Sequence, residues 1–226
     1  LYHLLQCPDA HDLIKRMLRY NQNKRPSAIE VCSHPFFWDY NKRLNFLTDL
    51  SDRLEHESIY NIIMSNNGGI ESNANDIIGC NMGWDKRLDG NLLEDMGKYR
   101  RYDTFSIRDL LRLIRNKRHH YHELPQASKD LMSPLPNGFI NYFEIRFPLL
   151  LLSCVKLVCH YLPSDKICFD YCQDCIYMFT DSLYDSDSDG NDNNNGNGDG
   201  NGNGIDDLRV DDSNNDGNGN GNGENI

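Results

Sequence analysis

No stretch of this 226-residue chain comes near the twenty or so consecutive apolar residues that a membrane-crossing helix needs. The most apolar run, residues 147–155, is closed by Lys156 and is expected as a buried helix. A second Cys-x-x-Cys pair is also missing. Cys172 and Cys175, with Cys168 and His160 nearby, outline half of a zinc site, but a ribbon-type site needs a matching pair. Buried reduced thiols are the better reading, because cysteine is among the residues most often found in cores. No signal peptide precedes the eight cysteines and Leu1 is not an initiator methionine. The expectation is therefore a piece of a longer protein, without a secreted disulfide framework.

The main part of the chain also lacks a net charge, although the whole carries −11. Residues 181–226 hold twelve acids and one base, Arg209, which leaves 22 bases and 22 acids in residues 1–180. The acidic segment alternates Asn, Gly and Asp. It has too little apolar surface to offset the entropy of ordering it, so a disordered tail is expected. Against the neutral body, residues 98–120 stand out with eight bases and two acids. A local excess of that kind suits a polyanion, though acidic proteins and lipid headgroups also bind basic patches.

The basic segment contains the stretch around which the chain is organised, residues 106–123. Ser106 can cap the first free N–H groups of a helix, and Asp109 is placed to reach back as in a capping box. Ile107, Leu110, Leu111 and Ile114 recur at i, i+3, i+4 and i+7, the spacing of one buried stripe. Arg112, Asn116, His119 and His120 fall roughly opposite that stripe, with Asn116 and His120 one turn apart. The exposed face then offers a guanidinium, an amide and two imidazoles.

Those groups can cleave RNA. A ribose 2′-OH must lose a proton as it attacks phosphorus, and the departing 5′-oxygen must gain one. Histidine can hold and give a proton near neutral pH. Arginine offers a planar fork to phosphate oxygens, and an amide donates to them as charge builds. On residue types alone, a solvated basic helix face explains the pattern better.

Motifs elsewhere change that balance. Residues 11–18 have helical spacing after Pro8 and Asp9, and a second helix opens at Pro26-Ser27 and closes near His34-Pro35. The run Asp12-Leu-Ile-Lys-Arg-Met-Leu18, then Lys24-Arg25-Pro26-Ser27-Ala28, then His34-Pro35-Phe36-Phe37-Trp38 closely resembles the last two helices of a protein kinase C-lobe. In kinases the arginine matching Arg25 pairs with the glutamate of an Ala-Pro-Glu motif, which is absent here. Absent too are the Gly-rich loop, the strand lysine, the His-Arg-Asp loop and Asp-Phe-Gly, so this chain is not expected to be a kinase.

Beyond Trp38 come Lys42-Arg43-Leu44, Ser51-Asp52-Arg53-Leu54-Glu55 and a loose stretch over residues 61–75 with a turn at Asn66-Asn67-Gly68-Gly69. Then follow Trp84-Asp85-Lys86-Arg87-Leu88-Asp89, Arg115-Asn116-Lys117-Arg118-His119-His120-Tyr121, Glu123-Leu124-Pro125 and Arg146-Phe147-Pro148-Leu149-Leu150. This order resembles the KEN ribonuclease domain that follows a kinase or pseudokinase domain in the inositol-requiring-enzyme stress sensors and in RNase L. The resemblance spans about residues 4–175, and its Arg-Asn-Lys-x-His-His core is nearer the stress-sensor branch. It implies an all-α fold, with residues 1–40 a kinase remnant, 41–178 a KEN endoribonuclease domain and 179–226 the disordered tail.

The resemblance also implies roles. His120 matches the general acid for the 5′-oxygen, Tyr102 the tyrosine that activates the 2′-OH, and Arg115 with Asn116 the pair that holds the scissile phosphate. Lys98, Arg101, Arg112, Lys117 and Arg118 are the remaining candidate RNA contacts. His119 is expected to pack or orient, and His122 to be an exposed bystander. The products would be a 2′,3′-cyclic phosphate and a 5′-OH, with no metal and no cofactor in this fragment, whereas full-length relatives bind ATP or ADP and Mg in the kinase domain. Implied partners are RNA and a second copy of the chain in a homodimer, with no membrane segment. The implied setting is an unfolded-protein-response-like pathway in the cytoplasm or on the cytosolic face of the endoplasmic reticulum. Two other readings stand beside it: a KEN-like module that dimerises or binds RNA without cutting, and the regulatory end of an active kinase encoded upstream. The rest reads as scaffold. Phe143, Phe147, Leu151 and Val155 are expected in the core, and Tyr142 either there or stacked on a base.

Overall fold

A computed structural model describes residues 7–65, 69–79, 82–97 and 100–180. Lys98 and the tail from residue 181 lie outside the described residues, as does the centre of the turn at 66–68. The described residues form one compact unit with twelve α-helices and no strand among them. The all-α expectation holds. Short helices α1 (Pro8–Met17) and α2 (Ala28–Ser33) come first, and α2 opens on a capping box between Ser27 and Glu30. The long helix α3 (Tyr40–Arg53) follows, with Asp39 accepting from Lys42 N–H at its start.

Helix α4 (Glu57–Ser65) corrects the loose stretch expected over residues 61–75, because residues 61–65 are helical and 70–75 turn into helix again. A 3₁₀ turn (Ile70–Asn73), α5 (Ala74–Ile78), a second 3₁₀ turn (Trp84–Arg87) and α6 (Gly90–Gly97) lead to the central helix α7 (Ile107–His119). Its expected stripe is in place: Ile107, Leu110, Leu111 and Ile114 are completely buried, and Leu113 with them. At about 1.5–3 kcal/mol for each fully buried aliphatic side chain, that packing far outweighs intrinsic helix propensity. It places α7 along α3, whose Leu44, Leu47, Leu50 and Leu54 fill the facing surface.

The remaining helices, α8 (Gln126–Met132), α9 (Asn137–Arg146), α10 (Leu150–Tyr161), α11 (Lys166–Tyr171) and α12 (Ile176–Thr180), close the core. Gly138 lets α9 start against the end of α8, since a Cβ there would meet the Ser133 carbonyl oxygen at 2.2 Å. Phe139, Phe143, Phe147, Leu151 and Val155 are buried as expected. Tyr142 joins them: it is 4% exposed, its hydroxyl donates to Asp89 Oδ2 at 2.7 Å, and Arg146 lies 3.6 Å over its ring. Those contacts take the face that a stacked base would need.

The kinase-like segment sits on this core through a polar joint. Arg43 donates to the carbonyls of Pro35, Phe36 and Trp38 and also pairs with Asp9 and with Glu144 of α9. Asp12 accepts from Arg16 Nε at 2.5 Å and from Lys156 of α10 at 2.6 Å, with His34 Nε2 at 3.4 Å. Burial alone would push the Asp12 carboxyl up, but His34, Arg16 and Lys156 together hold it well below its ordinary range. Asp9 and Glu144 lie above theirs, because burial outweighs the pull of Arg43.

Candidate active site

The start of α7 is fixed from a distance. Ser106 Oγ accepts from Asp109 N–H at 3.2 Å, as a capping residue should. The expected reach-back by Asp109 does not occur: its carboxylate accepts from Asp103 N–H at 2.7 Å and from Arg112 at 2.8 Å. Glu71 takes its place. One oxygen accepts from Ser106 Oγ at 2.7 Å and Arg108 N–H at 3.1 Å, the other from Ile107 N–H at 2.8 Å. A carboxylate at a helix N-terminus meets both free donors and the positive end of the dipole. Trp84, fully buried, ties the same turn from the other side by donating from Nε1 to Ser106 O at 3.1 Å.

The other end of α7 carries the candidate chemistry. The α-helix stops at His119, earlier than the expected stretch to residue 123, and a 3₁₀ turn (Tyr121–Glu123) continues from His120. There a cavity of about 430 Å³ opens, lined by Asp95, Met96, Arg100, Tyr102, Asn116, Lys117, His120, Glu123 and Leu124. Tyr102, Asn116, Lys117 and His120 thus come together from two segments of chain. Asn116 Nδ2 donates to the Tyr102 hydroxyl oxygen at 3.0 Å, and Trp84 packs edge-on to the Tyr102 ring. His120 Nδ1 lies 3.0 Å from Glu123 Oε1. With a carboxylate as its partner Nδ1 is the donor, which leaves Nε2 to exchange a proton.

Arg115 stands next to the cavity without lining it. Its Nε and Nη2 donate to Asn116 Oδ1 at 3.3 and 3.2 Å, and Nη1 donates to Asp52 Oδ1 at 2.9 Å. The other basic candidates spread out. Arg112 is held bidentately by Glu55 and by Asp109, and Glu55 also approaches Arg108 and Arg115. Arg112, assisted by the other two guanidiniums, keeps the Glu55 carboxyl below its ordinary range. Arg118 donates to Thr48 Oγ1 at 3.0 Å and to Asn45. Arg101, His119 and His122 are exposed and line no part of the cavity.

Lys117 is 7% exposed, and its ammonium donates to Asp95 Oδ2 at 2.6 Å beneath the cavity. The sequence argument missed Asp95, Glu123 and the capping Glu71. For Glu123 a signal existed, since it follows His120 at i+3. Asp95 and Glu71 become neighbours of α7 through the fold alone. Among the described residues no group of three or more His, Cys, Asp or Glu side chains is disposed to hold a metal ion. Nor is any helix among them long and apolar enough to cross a membrane.

Residues 43–172 match the family model for ribonuclease 2-5A. The "Sensor for unfolded proteins in the ER ire1" of Schizosaccharomyces pombe is 44% identical over 155 residues, which is 66% of this chain and 14% of that protein. "Serine/threonine-protein kinase/endoribonuclease IRE1b" of Arabidopsis thaliana is 38% identical over 180 residues, 78% of this chain and 20% of that protein. "Serine/threonine-protein kinase/endoribonuclease IRE2" of Homo sapiens is 41% identical over 166 residues, 70% and 17%. The chain therefore spans a fifth or less of the length of these relatives.

Proposed function

This chain belongs to the ribonuclease 2-5A (KEN) family, and on that premise we propose that it is an endoribonuclease that cuts RNA at the cavity beside the end of α7. The observation that carries the reading is the convergence of Tyr102, Asn116 and His120 on one cavity. In the proposed reaction Tyr102, as its phenolate, takes the proton from a ribose 2′-OH, whose oxygen attacks the adjacent phosphorus. The bond from phosphorus to the 5′-oxygen breaks, and His120 delivers a proton to that oxygen. The products are a 2′,3′-cyclic phosphate and a 5′-OH, with no step assigned to a metal or cofactor.

Asn116 and Arg115 hold the non-bridging oxygens of the scissile phosphate as negative charge builds. Arg115 must exchange Asp52 for that phosphate. The Asp52 side chain is 56% exposed, so the pair it forms is weak and readily traded. Arg101, Arg112 and Arg118 serve as more distant RNA contacts in this reading, and Lys98, outside the described residues, as a further candidate. Residues 1–40 act as the end of a kinase domain and residues 41–178 as the nuclease domain, which cuts as a homodimer because doubling the basic surface raises avidity. The Schizosaccharomyces pombe relative is named as a sensor for unfolded proteins in the ER, and we assign this chain to an equivalent cytoplasmic RNA-processing step.

The test is cleavage of a stem-loop RNA in EDTA by the chain fused to a dimeric tag, with His120→Ala beside it. The expected result is cyclic-phosphate ends and a loss of about 10²–10⁴-fold in the variant, the range for removing a general acid. No cutting by a folded dimer would overturn the reading in favour of a scaffold that binds RNA without cleaving it. Full-rate cutting by a strictly monomeric sample would refute the dimer requirement alone.

A further inference from the structure

Four thiols that line no part of the candidate nuclease cavity lie in the buried core. Cys159 lies on α10, Cys168 on α11, Cys172 at the end of α11, and Cys175 at the start of α12. All four are buried, between 0% and 1% exposed, and all are free. One backbone turn joins Cys172 and Cys175, and Cys159 and Cys168 belong to the same buried core. We propose that this cluster is an oxidisable site in which peroxide joins Cys172 and Cys175 as an intramolecular disulfide.

Geometry selects that pair. Cys175 N–H donates to Cys172 O at 3.0 Å, a one-turn closure that brings the two Cα atoms to within about 7 Å, the span a disulfide bridges. Gln173 and Asp174 between them are exposed, so the turn reaches the surface although its sulfurs do not. The flanking helices have six and five residues. Helices that short hold little stability of their own, and local opening lets a small oxidant in.

Electrostatics selects the nucleophile. The neighbouring thiols of Cys159 and Cys172 hold the Cys175 sulfur below the usual thiol range, against the opposing effect of burial. The Cys175 thiolate attacks one oxygen of hydrogen peroxide, the O–O bond breaks, and hydroxide departs, leaving a sulfenic acid. The Cys172 thiol then attacks that sulfur, and the S–O bond breaks. Its proton and the departing oxygen leave as water. Two thiols are oxidised and one peroxide is reduced.

The site adjoins the joint with the kinase-like segment. Three residues past Cys175, Met178 O accepts from Arg16, and the Arg16 guanidinium lies 4.6 Å over the neighbouring Phe179 ring. A disulfide in the turn that feeds α12 acts where α1 rests on the core.

The full chain, treated with hydrogen peroxide, alkylated and cut before aspartates, separates Cys172 from Cys175 by cleavage at Asp174. The expected product is a linked peptide pair 2 Da lighter than the two reduced peptides together. In Cys172→Ser a dimedone adduct collects on Cys175, and in Cys175→Ser no linked pair forms. The linked pair in the wild-type chain alone decides the matter should either variant fold poorly. A wild-type chain whose Cys172 and Cys175 are both still alkylated after peroxide treatment would overturn the proposal. So would a chain that purifies with one tightly held zinc ion and thiols that resist peroxide.

Discussion

Removing Asp95 should damage the protein more than its position on a short helix suggests. Lys117 and Asp95 are each 9% exposed in their side chains and meet at 2.6 Å. Asp95→Ala leaves the Lys117 ammonium in the core without the carboxylate that compensates its lost hydration. Breaking a buried pair from one side costs about 3–5 kcal/mol, a large share of the 5–15 kcal/mol that a domain of this kind has in total. Urea unfolding with an unchanged slope would read that loss as a shift in midpoint. The double variant Asp95→Leu with Lys117→Met removes both charges, and should recover most of the loss, because hydrophobic replacements of buried pairs are often neutral or better. A loss under about 1 kcal/mol in Asp95→Ala would refute the reasoning, since that is the worth of an exposed pair. The same variants test whether Lys117 is a phosphate contact on the proposed reading. Were it a phosphate contact, Lys117→Met would lower the salt slope of single-stranded RNA binding by about 0.7. The buried pairing predicts an unchanged slope with lower stability.

Two further outcomes follow from the packing. Glu71→Ala strips three acceptor contacts from the first turn of α7 and should cost about 1–2 kcal/mol, read by thermal denaturation; an unchanged midpoint would mean that water replaces the cap at no cost. Asp12 has a folded-state value depressed below the ordinary 3.8, so its contribution is present above about pH 4 and lost as pH falls through the folded value. Asp9 and Glu144, whose values are raised, act in the opposite sense. The stability difference between wild type and Asp12→Asn, followed by urea titration from pH 7 down to pH 2.5, should therefore stay flat to about pH 4 and then shrink. A difference that grew below pH 4 would refute the assignment.

What the sequence disclosed and what it withheld divide along a physical line. Periodicity is local, so Ile107, Leu110, Leu111 and Ile114 could be read as one stripe, and the structure buries all four. Asn116 and His120 are likewise one turn apart by chain geometry alone, and both reach the cavity. Partnership is a different matter. The excess of six positive charges in residues 98–120 suggests a free basic face. Yet Glu55 and Asp52 reach Arg108, Arg112 and Arg115 from the end of α3, and Asp95 takes Lys117 from α6. These acids lie 22 to 63 residues away in the chain, and no rule of local spacing could pair them. The capping failure has the same origin. Ser106 and Asp109 satisfy a local pattern, but Glu71 arrives from 35 residues upstream with a better-placed carboxylate, and Asp109 is released to Asp103 and Arg112. Charge counted along a sequence therefore overstates the field at the surface of α7. On the proposed reading, RNA would have to put its phosphates in place of Asp52 and Glu55, and the arginine whose carboxylate is most exposed, Arg115 with Asp52, is the one placed beside the cavity.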